Sequence, residues 1–151
     1  MIPSVQLGLR RWPPDVLGNI GEQQIESIYE VHPGDNFGWS QREGPFVFKA
    51  GGPSCGVFPV PADDSKYGYT YPVAAFAYNP PPGQPSCRTS GHAVVGGFVY
   101  RGSSAPALCG KYIFADFVPG RTFYAEANEC IRGLDPPKSM NWRLSSSVTS
   151  R

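Results

Sequence analysis

Histidine is scarce in this chain, at two of 151 residues, and charge is thin, with thirteen Lys and Arg set against twelve Asp and Glu. A formal charge of +1, with no basic cluster interleaved with aromatics, excludes a surface built for nucleic acid. No apolar run approaches the ~18 residues of a membrane-spanning helix, and the segment after Met1 lacks the unbroken apolar core of a signal peptide. The chain is therefore either cytosolic or missing its true N-terminus. No two cysteines stand at the close C-x₂₋₄-C spacing of structural zinc ligands. Long helix-forming stretches are absent too, because 18 Gly and 17 Pro punctuate the sequence throughout. Together these absences predict a nearly all-β protein. Its length suffices for a real core, since a chain of about 150 residues buries roughly 70% of its unfolded surface.

What is present is concentrated in Gly91 to Glu126. Three runs rich in Val, Ile, Phe and Tyr, at Ala93–Tyr100, Lys111–Phe117 and Thr122–Ala127, are broken at Gly102-Ser103-Ser104 and Val118-Pro119-Gly120. That pattern is a β-meander. In the middle run Tyr112, Phe114 and Asp116 alternate with Ile113, Ala115 and Phe117, so both faces are largely apolar and both call for a neighbour. A hairpin centred on Pro119-Gly120 places Cys109 and Cys130 opposite each other within disulfide reach. Cys55 and Cys87, each in a turn-rich loop, form the second candidate pair, which suits an oxidising compartment. Unpaired small apolar side chains are the alternative reading of all four.

Elsewhere, residues 1–17 read as an irregular connection and Ile25–Val31 as a short strand, with a helical turn as the competing assignment. His32 to Asn36 make a tight turn into Phe37-Gly38-Trp39, whose central glycine suggests close backbone packing. Gly44 to Tyr71 is mostly loop, with one short strand at Phe46–Phe48, and Tyr71–Tyr78 is the next strand. Residues 134–151 form a polar, unstructured tail. Six or seven strands result, enough for one and a half to two four-stranded antiparallel blades.

Three segments resemble the soluble glucose/sorbosone dehydrogenase family, the sugar dehydrogenases that depend on pyrroloquinoline quinone (PQQ) and share a six-bladed β-propeller. Gly18-Asn19-Ile20-Gly21-Glu22-Gln23 with Ile25-Glu26-Ser27-Ile28 is similar to the family's GDVGQ…EEI run. Asp35 to Trp39 with Arg42-Glu43-Gly44 is similar to G-x-N-Y-G-W…x-E-G. Val95 to Gly102, followed by Pro106-Ala107-Leu108 and Gly110 to Arg121, is similar to GGYVYRG…P.L.G.YVFGDF..GR. Hedgehog-interacting-protein-like chains share these elements without a secure enzymatic role, so the resemblance bears on architecture more than on activity.

The resemblance implies a partial propeller over residues 18–133, with the rest of the propeller in a longer parent and the catalytic histidine upstream of this chain. It implies a periplasmic or secreted parent that takes a small sugar and an electron acceptor. Ca²⁺ and PQQ are the implied cofactors. Main-chain carbonyls of Gly21 and Glu22 stand where the family holds calcium, a hard cation that prefers oxygen, although an ordinary turn explains them equally well. Asn19 replaces the usual Asp. Arg88, Thr89 and His92 match the segment lining the quinone pocket, with no stacking aromatic among them; Arg88 could pair a quinone carboxylate, with a solvated loop arginine the preferred reading. Arg121 reaches the pocket rim or pairs with Asp116 across the meander turn, the pair being preferred. His32 and His92 read as structural, and Asp63-Asp64 as a solvated loop. The fragment alone is expected to be inactive; the alternative for the parent is a non-enzymatic extracellular binding propeller.

Overall fold

The computed structural model describes residues 15–77, 83, 92–118 and 120–127. Among the described residues nine strands fall into three antiparallel sheets of three. The first joins β1 (Val16–Asn19), β2 (Ile25–Glu30) and β6 (Ala74–Ala77), with β2 central. The second is a meander of β3 (Arg42–Glu43), β4 (Phe46–Lys49) and β5 (Gly56–Phe58); the third is the meander of β7 (Val94–Val99), β8 (Lys111–Asp116) and β9 (Arg121–Glu126).

The first sheet lies between the other two, and the alternation of side chains along β2 and β6 shows how. Ile25 and Ala75 pack with Phe48 and Val57 of the second sheet, while Ile28, Ala74 and Phe76 pack with Val94, Tyr112, Phe114 and Phe123 of the third. Successive strand residues point to opposite faces, so a strand covered on both sides is buried throughout. β2 is such a strand: Ile25 to Tyr29 are each at most 1% exposed. The third-sheet side is an aromatic cluster, in which Phe76 lies 5.2 Å from Phe123 and 6.1 Å from Phe114 between ring centroids.

β8 departs from its expected surroundings. Tyr112, Phe114 and Asp116 are buried, but Lys111, Ile113 and Ala115 are only half-buried and Phe117 is 71% exposed. The strand covered on both faces is β2. The outer face of the third sheet carries Val95, Ala115 and Thr122 in one row and Phe98, Ile113 and Tyr124 in the next, with Phe98 61% exposed. A bulge between Val95 and Phe98 brings the backbone against Tyr112; a Cβ on Gly97, at φ 153°, would stand 1.8 Å from the Tyr112 hydroxyl. Only glycine fits there.

Other boundaries move. β1 starts at Val16, inside the segment read as connection, and the stretch read as mostly loop contributes β5 and a 3₁₀ turn at Asp64–Tyr67. Of the sequence's proposed tail, nothing lies within the described residues. Among those that do, no helix is long and apolar enough to cross a membrane.

Candidate functional site

The turn between β1 and β2 must pass from an exposed edge into a fully buried strand within five residues, and buried backbone N–H groups require partners. Glu43 of β3 supplies them. Its Oε1 accepts from the N–H groups of Gln23 (3.1 Å), Gln24 (2.6 Å) and Ile25 (2.7 Å), and its Oε2 from Gln23 (3.2 Å). The carboxylate thereby satisfies three backbone donors of the turn at once. Gly21 fits the turn because any Cβ there would meet the Ile25 carbonyl at 2.0 Å and Glu43 Oε1 at 2.7 Å. Gln24 Oε1 accepts from the Val57 N–H at 3.1 Å, tying the same turn to β5.

Glu26, the next acidic residue along β2, faces the third sheet. Its Oε2 accepts from the Val94 N–H at 2.8 Å and its Oε1 from the Gly21 N–H at 3.3 Å. Burial pushes its carboxyl up to about 7, the Asp116 and Glu43 charges push the same way, and the two backbone donors oppose them.

A pocket of about 300 Å³ opens beside this turn, its lining including Asn19, Gly21, Glu22, Phe37, Trp39 and Arg42. Trp39 is 64% exposed and stacks on Phe48, centroids 5.2 Å apart. Tyr29 lines the pocket and is fully buried; burial holds its pKa above the ordinary phenol value, against the opposing effect of a hydrogen bond with Ser27. Tyr29 packs on Phe37 at 4.4 Å. Arg42 pairs with buried Asp64, which also accepts from the Tyr71 hydroxyl, and lies 4.9 Å from the Tyr69 ring centroid. Arg42 Nη1 donates to the Gln41 carbonyl at 2.9 Å, while its Nε has no partner.

The predicted site residues are thereby dispersed. Gly21 and Glu22 border the pocket. His92 stands on the third sheet, with Nδ1 3.2 Å from Oδ2 of buried Asp116. Arg121 opens β9 at an exposed position. The preferred Asp116–Arg121 pair is not formed, because Asp116 follows Tyr112 and Phe114 onto the buried face and meets His92. Arg88 and Thr89 lie outside the described residues. Asp64, read as solvated, is 4% exposed and paired; Asp63 is the solvated one, 2.7 Å from Lys66. His32 does act in a turn, its N–H donating to Asp35 at 2.7 Å.

Cys55 is buried and disulfide-bonded. Its expected partner Cys87 lies outside the described residues, as does Cys130. Cys109 is a free, exposed thiol, which corrects the expected pairing with Cys130. The register differs from the one that pairing assumed: Asp116 opposes Arg121, so the hairpin centres one residue earlier than a centre on Pro119-Gly120.

Tests of fit for calcium and quinone give different answers. Gly21 and Glu22 adjoin oxygen-bearing Asn19 and Tyr29 in one pocket, a donor set compatible with a hard cation, although no cluster of three His, Cys, Asp or Glu forms among the described residues. Neither His92 nor Arg121 lines that pocket, so the described residues do not assemble a quinone site there. The residues that sequence reasoning missed are Tyr29, Trp39, Arg42 and Glu43. Arg42-Glu43 beside a glycine was the available signal: adjacent opposite charges in a two-residue strand between apolar layers require buried partners.

The chain is 26% identical over 98 residues to the HIPL2 protein of Arabidopsis thaliana, a match covering 65% of this chain and 13% of that protein. No family model matches, and no solved structure matches.

Proposed function

We propose that the chain is a segment of a longer β-propeller of the hedgehog-interacting-protein-like kind, acting by binding a partner outside the cell. Support for the architecture comes from the three stacked sheets, the apolar outer face of the third, and the partial similarity to HIPL2. Such a face is characteristic of a sheet with another layer against it. The observation that carries the binding reading is the pocket at the β1–β2 turn, whose lining joins an exposed Trp39 to the polar side chains of Asn19, Glu22 and Arg42. The disulfide at Cys55 supports an oxidising, periplasmic or extracellular setting.

A second reading, a PQQ-dependent sugar dehydrogenase parent, has one observation in its favour: Gly21 and Glu22, the residues nominated for calcium, border that same pocket. Gly21 and Glu22 would offer main-chain carbonyls to calcium there, and the cation would supply Lewis-acid polarisation of a bound carbonyl. The discriminating experiment assays the intact parent with PQQ, Ca²⁺, an aldose and an artificial electron acceptor. The binding reading expects no cofactor-dependent turnover; turnover that requires both cofactors would replace it with the dehydrogenase reading.

A further inference from the structure

Half of the large hydrophobic side chains that stand exposed among the described residues belong to the third sheet and its β8–β9 turn: Val95, Phe98, Phe117 and Val118. Phe98 is 61% exposed and Phe117 71%, and Phe117 continues the alternation that puts Ile113 and Ala115 on the outer face. At about 150–250 Å² per aromatic side chain, these two rings alone leave about 200–300 Å² of apolar area in water, and the valines bring the patch to about 400 Å². Patches of that size on a monomer are commonly contact surfaces.

Charge and shape select the occupant. Across β7, β8 and β9, Lys111 and Arg121 balance Asp116 and Glu126, and Lys111 pairs with Glu126 while lying 4.5 Å from the Tyr124 ring centroid. A sheet of zero net charge has no field to draw nucleic acid, an anionic membrane or a strongly charged protein, yet two such faces meet without repulsion. The bulge between Val95 and Phe98 bends the edge strand β7, which disfavours pairing edge to edge and leaves contact face to face. The other exposed hydrophobics, Leu17, Ile20, Trp39 and Tyr67, are spread over β1, the turn after it and the loops flanking the second sheet. They form no second sheet face for a head-to-tail neighbour. One apolar face per chain closes as a two-fold pair and stops there.

We propose that a second copy of this chain covers the outer face of the third sheet, the two third sheets packing face to face about a two-fold axis. Sheets stacked in this way lie about 10 Å apart with strand directions within about 30° of each other. Phe98, Phe117, Val95 and Ile113 form the apolar centre of that contact, with Thr122 and the Lys111–Glu126 pair toward its polar rim. In a longer parent the next layer takes the same face, so the pair belongs to the 151-residue chain. The pocket at the β1–β2 turn plays no part in it.

The test is sedimentation equilibrium of the 151-residue protein carrying Cys109→Ser, which removes covalent pairing through the exposed thiol. A monomer–dimer equilibrium is expected with a Kd of about 1–100 μM, because the apolar patch is only about half of the ~800 Å² that each side of a standard interface buries. Phe98→Asp is expected to weaken the dimer at least about tenfold and Phe117→Ser about three- to tenfold, since each removes a central aromatic contact. Both positions are exposed, so circular dichroism and melting of the monomeric variants should match the parent. Tyr67→Ser, an exposed aromatic away from the third sheet, should leave the equilibrium unchanged. A monomer at every concentration up to about 1 mM overturns the proposal, whether the face is then bare or covered by residues 128–151. So does a dimer that Phe98→Asp and Phe117→Ser leave intact, a mass that keeps rising beyond two chains, or a loss with Tyr67→Ser equal to that with Phe98→Asp. None of these outcomes involves the pocket, so failure here is distinct from failure of the binding reading.

Discussion

The Val94 N–H donates to Glu26 Oε2 at 2.8 Å, although the two residues are 68 positions apart, and this bond couples the most buried strand of the protein to the edge of the next sheet. The acceptor is an acid whose pKa burial raises from 4.5 to about 7. In that window the folded protein holds a proton that the unfolded chain has already released, so stability falls as pH rises from 4.5 to 7 and levels off above. The span corresponds to on the order of 3 kcal/mol. Glu26→Gln removes the titration while keeping one acceptor, at a constant cost of about 1 kcal/mol for the second bond. Urea denaturation of both proteins at pH 5, 6, 7 and 8 checks this: the difference between the two stabilities should shift in favour of the variant as pH rises. A constant difference would show that Glu26 does not titrate in this range.

Glu43 is held by three buried backbone donors. Glu43→Ala leaves the N–H groups of Gln23, Gln24 and Ile25 without acceptors. Each orphaned donor costs about 1–3 kcal/mol, so the variant is expected to be unfolded or close to it. Glu43→Gln retains one strong acceptor and should lose about 2 kcal/mol. Thermal melts of the two variants beside the parent, with circular dichroism for residual structure, measure the order predicted: Glu43→Ala below Glu43→Gln below the parent.

Arg42 and Asp64 are a buried ion pair, each 4–6% exposed, joining β3 to the 3₁₀ turn that follows β5. Breaking a buried pair by removing one partner costs about 3–5 kcal/mol, because the remaining charge stays in a low dielectric. Arg42→Met should therefore be more destabilising than Arg42→Met combined with Asp64→Leu, which removes both charges together. Lysine does not replace Arg42 without loss, since its point charge cannot reproduce a guanidinium that meets Asp64, the Gln41 carbonyl and the Tyr69 ring at once. A double-mutant cycle by chemical denaturation reads the coupling directly.

The third sheet was legible in the sequence because alternation and turn residues are local properties. Tyr112, Phe114 and Asp116 were assigned to one face of β8, and that is the face the core covers. The hairpin centre was displaced by one residue because glycine at 120 and proline at 119 mark a turn without fixing which of its four residues are central. β2 was read as a strand, but its complete burial depends on Phe48, Val57, Val94 and Tyr112, all distant in sequence. The pocket was the least legible part. Tyr29, Trp39 and Arg42 acquire their relationship only through the pairing of β3 with β4 and the packing of the second sheet on the first, and nothing local distinguishes Tyr29 from any other core aromatic. Asp64 was misread for a related reason: two adjacent aspartates look alike in sequence, and a single 3₁₀ turn sends one to solvent and the other to Arg42.

The cysteines separate into two chemical classes that a thiol reagent can distinguish. Cys109 follows the 3₁₀ turn at Pro106–Leu108 as a free, exposed thiol, whereas Cys55 is buried and already in a disulfide. An aromatic disulfide reagent added to the native protein should label Cys109 rapidly, since access and thiolate fraction control the rate. Cys55 should resist labelling until the protein is reduced. Cys109→Ser is expected to leave stability within about 0.5 kcal/mol, as for other exposed positions. Cys55→Ser is expected to cost about 2–5 kcal/mol, through loss of the cross-link and of a buried side chain. Mass mapping of labelled peptides before and after reduction assigns each site, and labelling of Cys55 in the unreduced native protein would contradict the assignment. Cys109→Ser should also leave the Lys111–Glu126 pairing at the start of β8 and the end of β9 intact, because backbone bonds from Cys109 to Pro106 and from Ala127 to Gly110, not the thiol, close that end of the sheet.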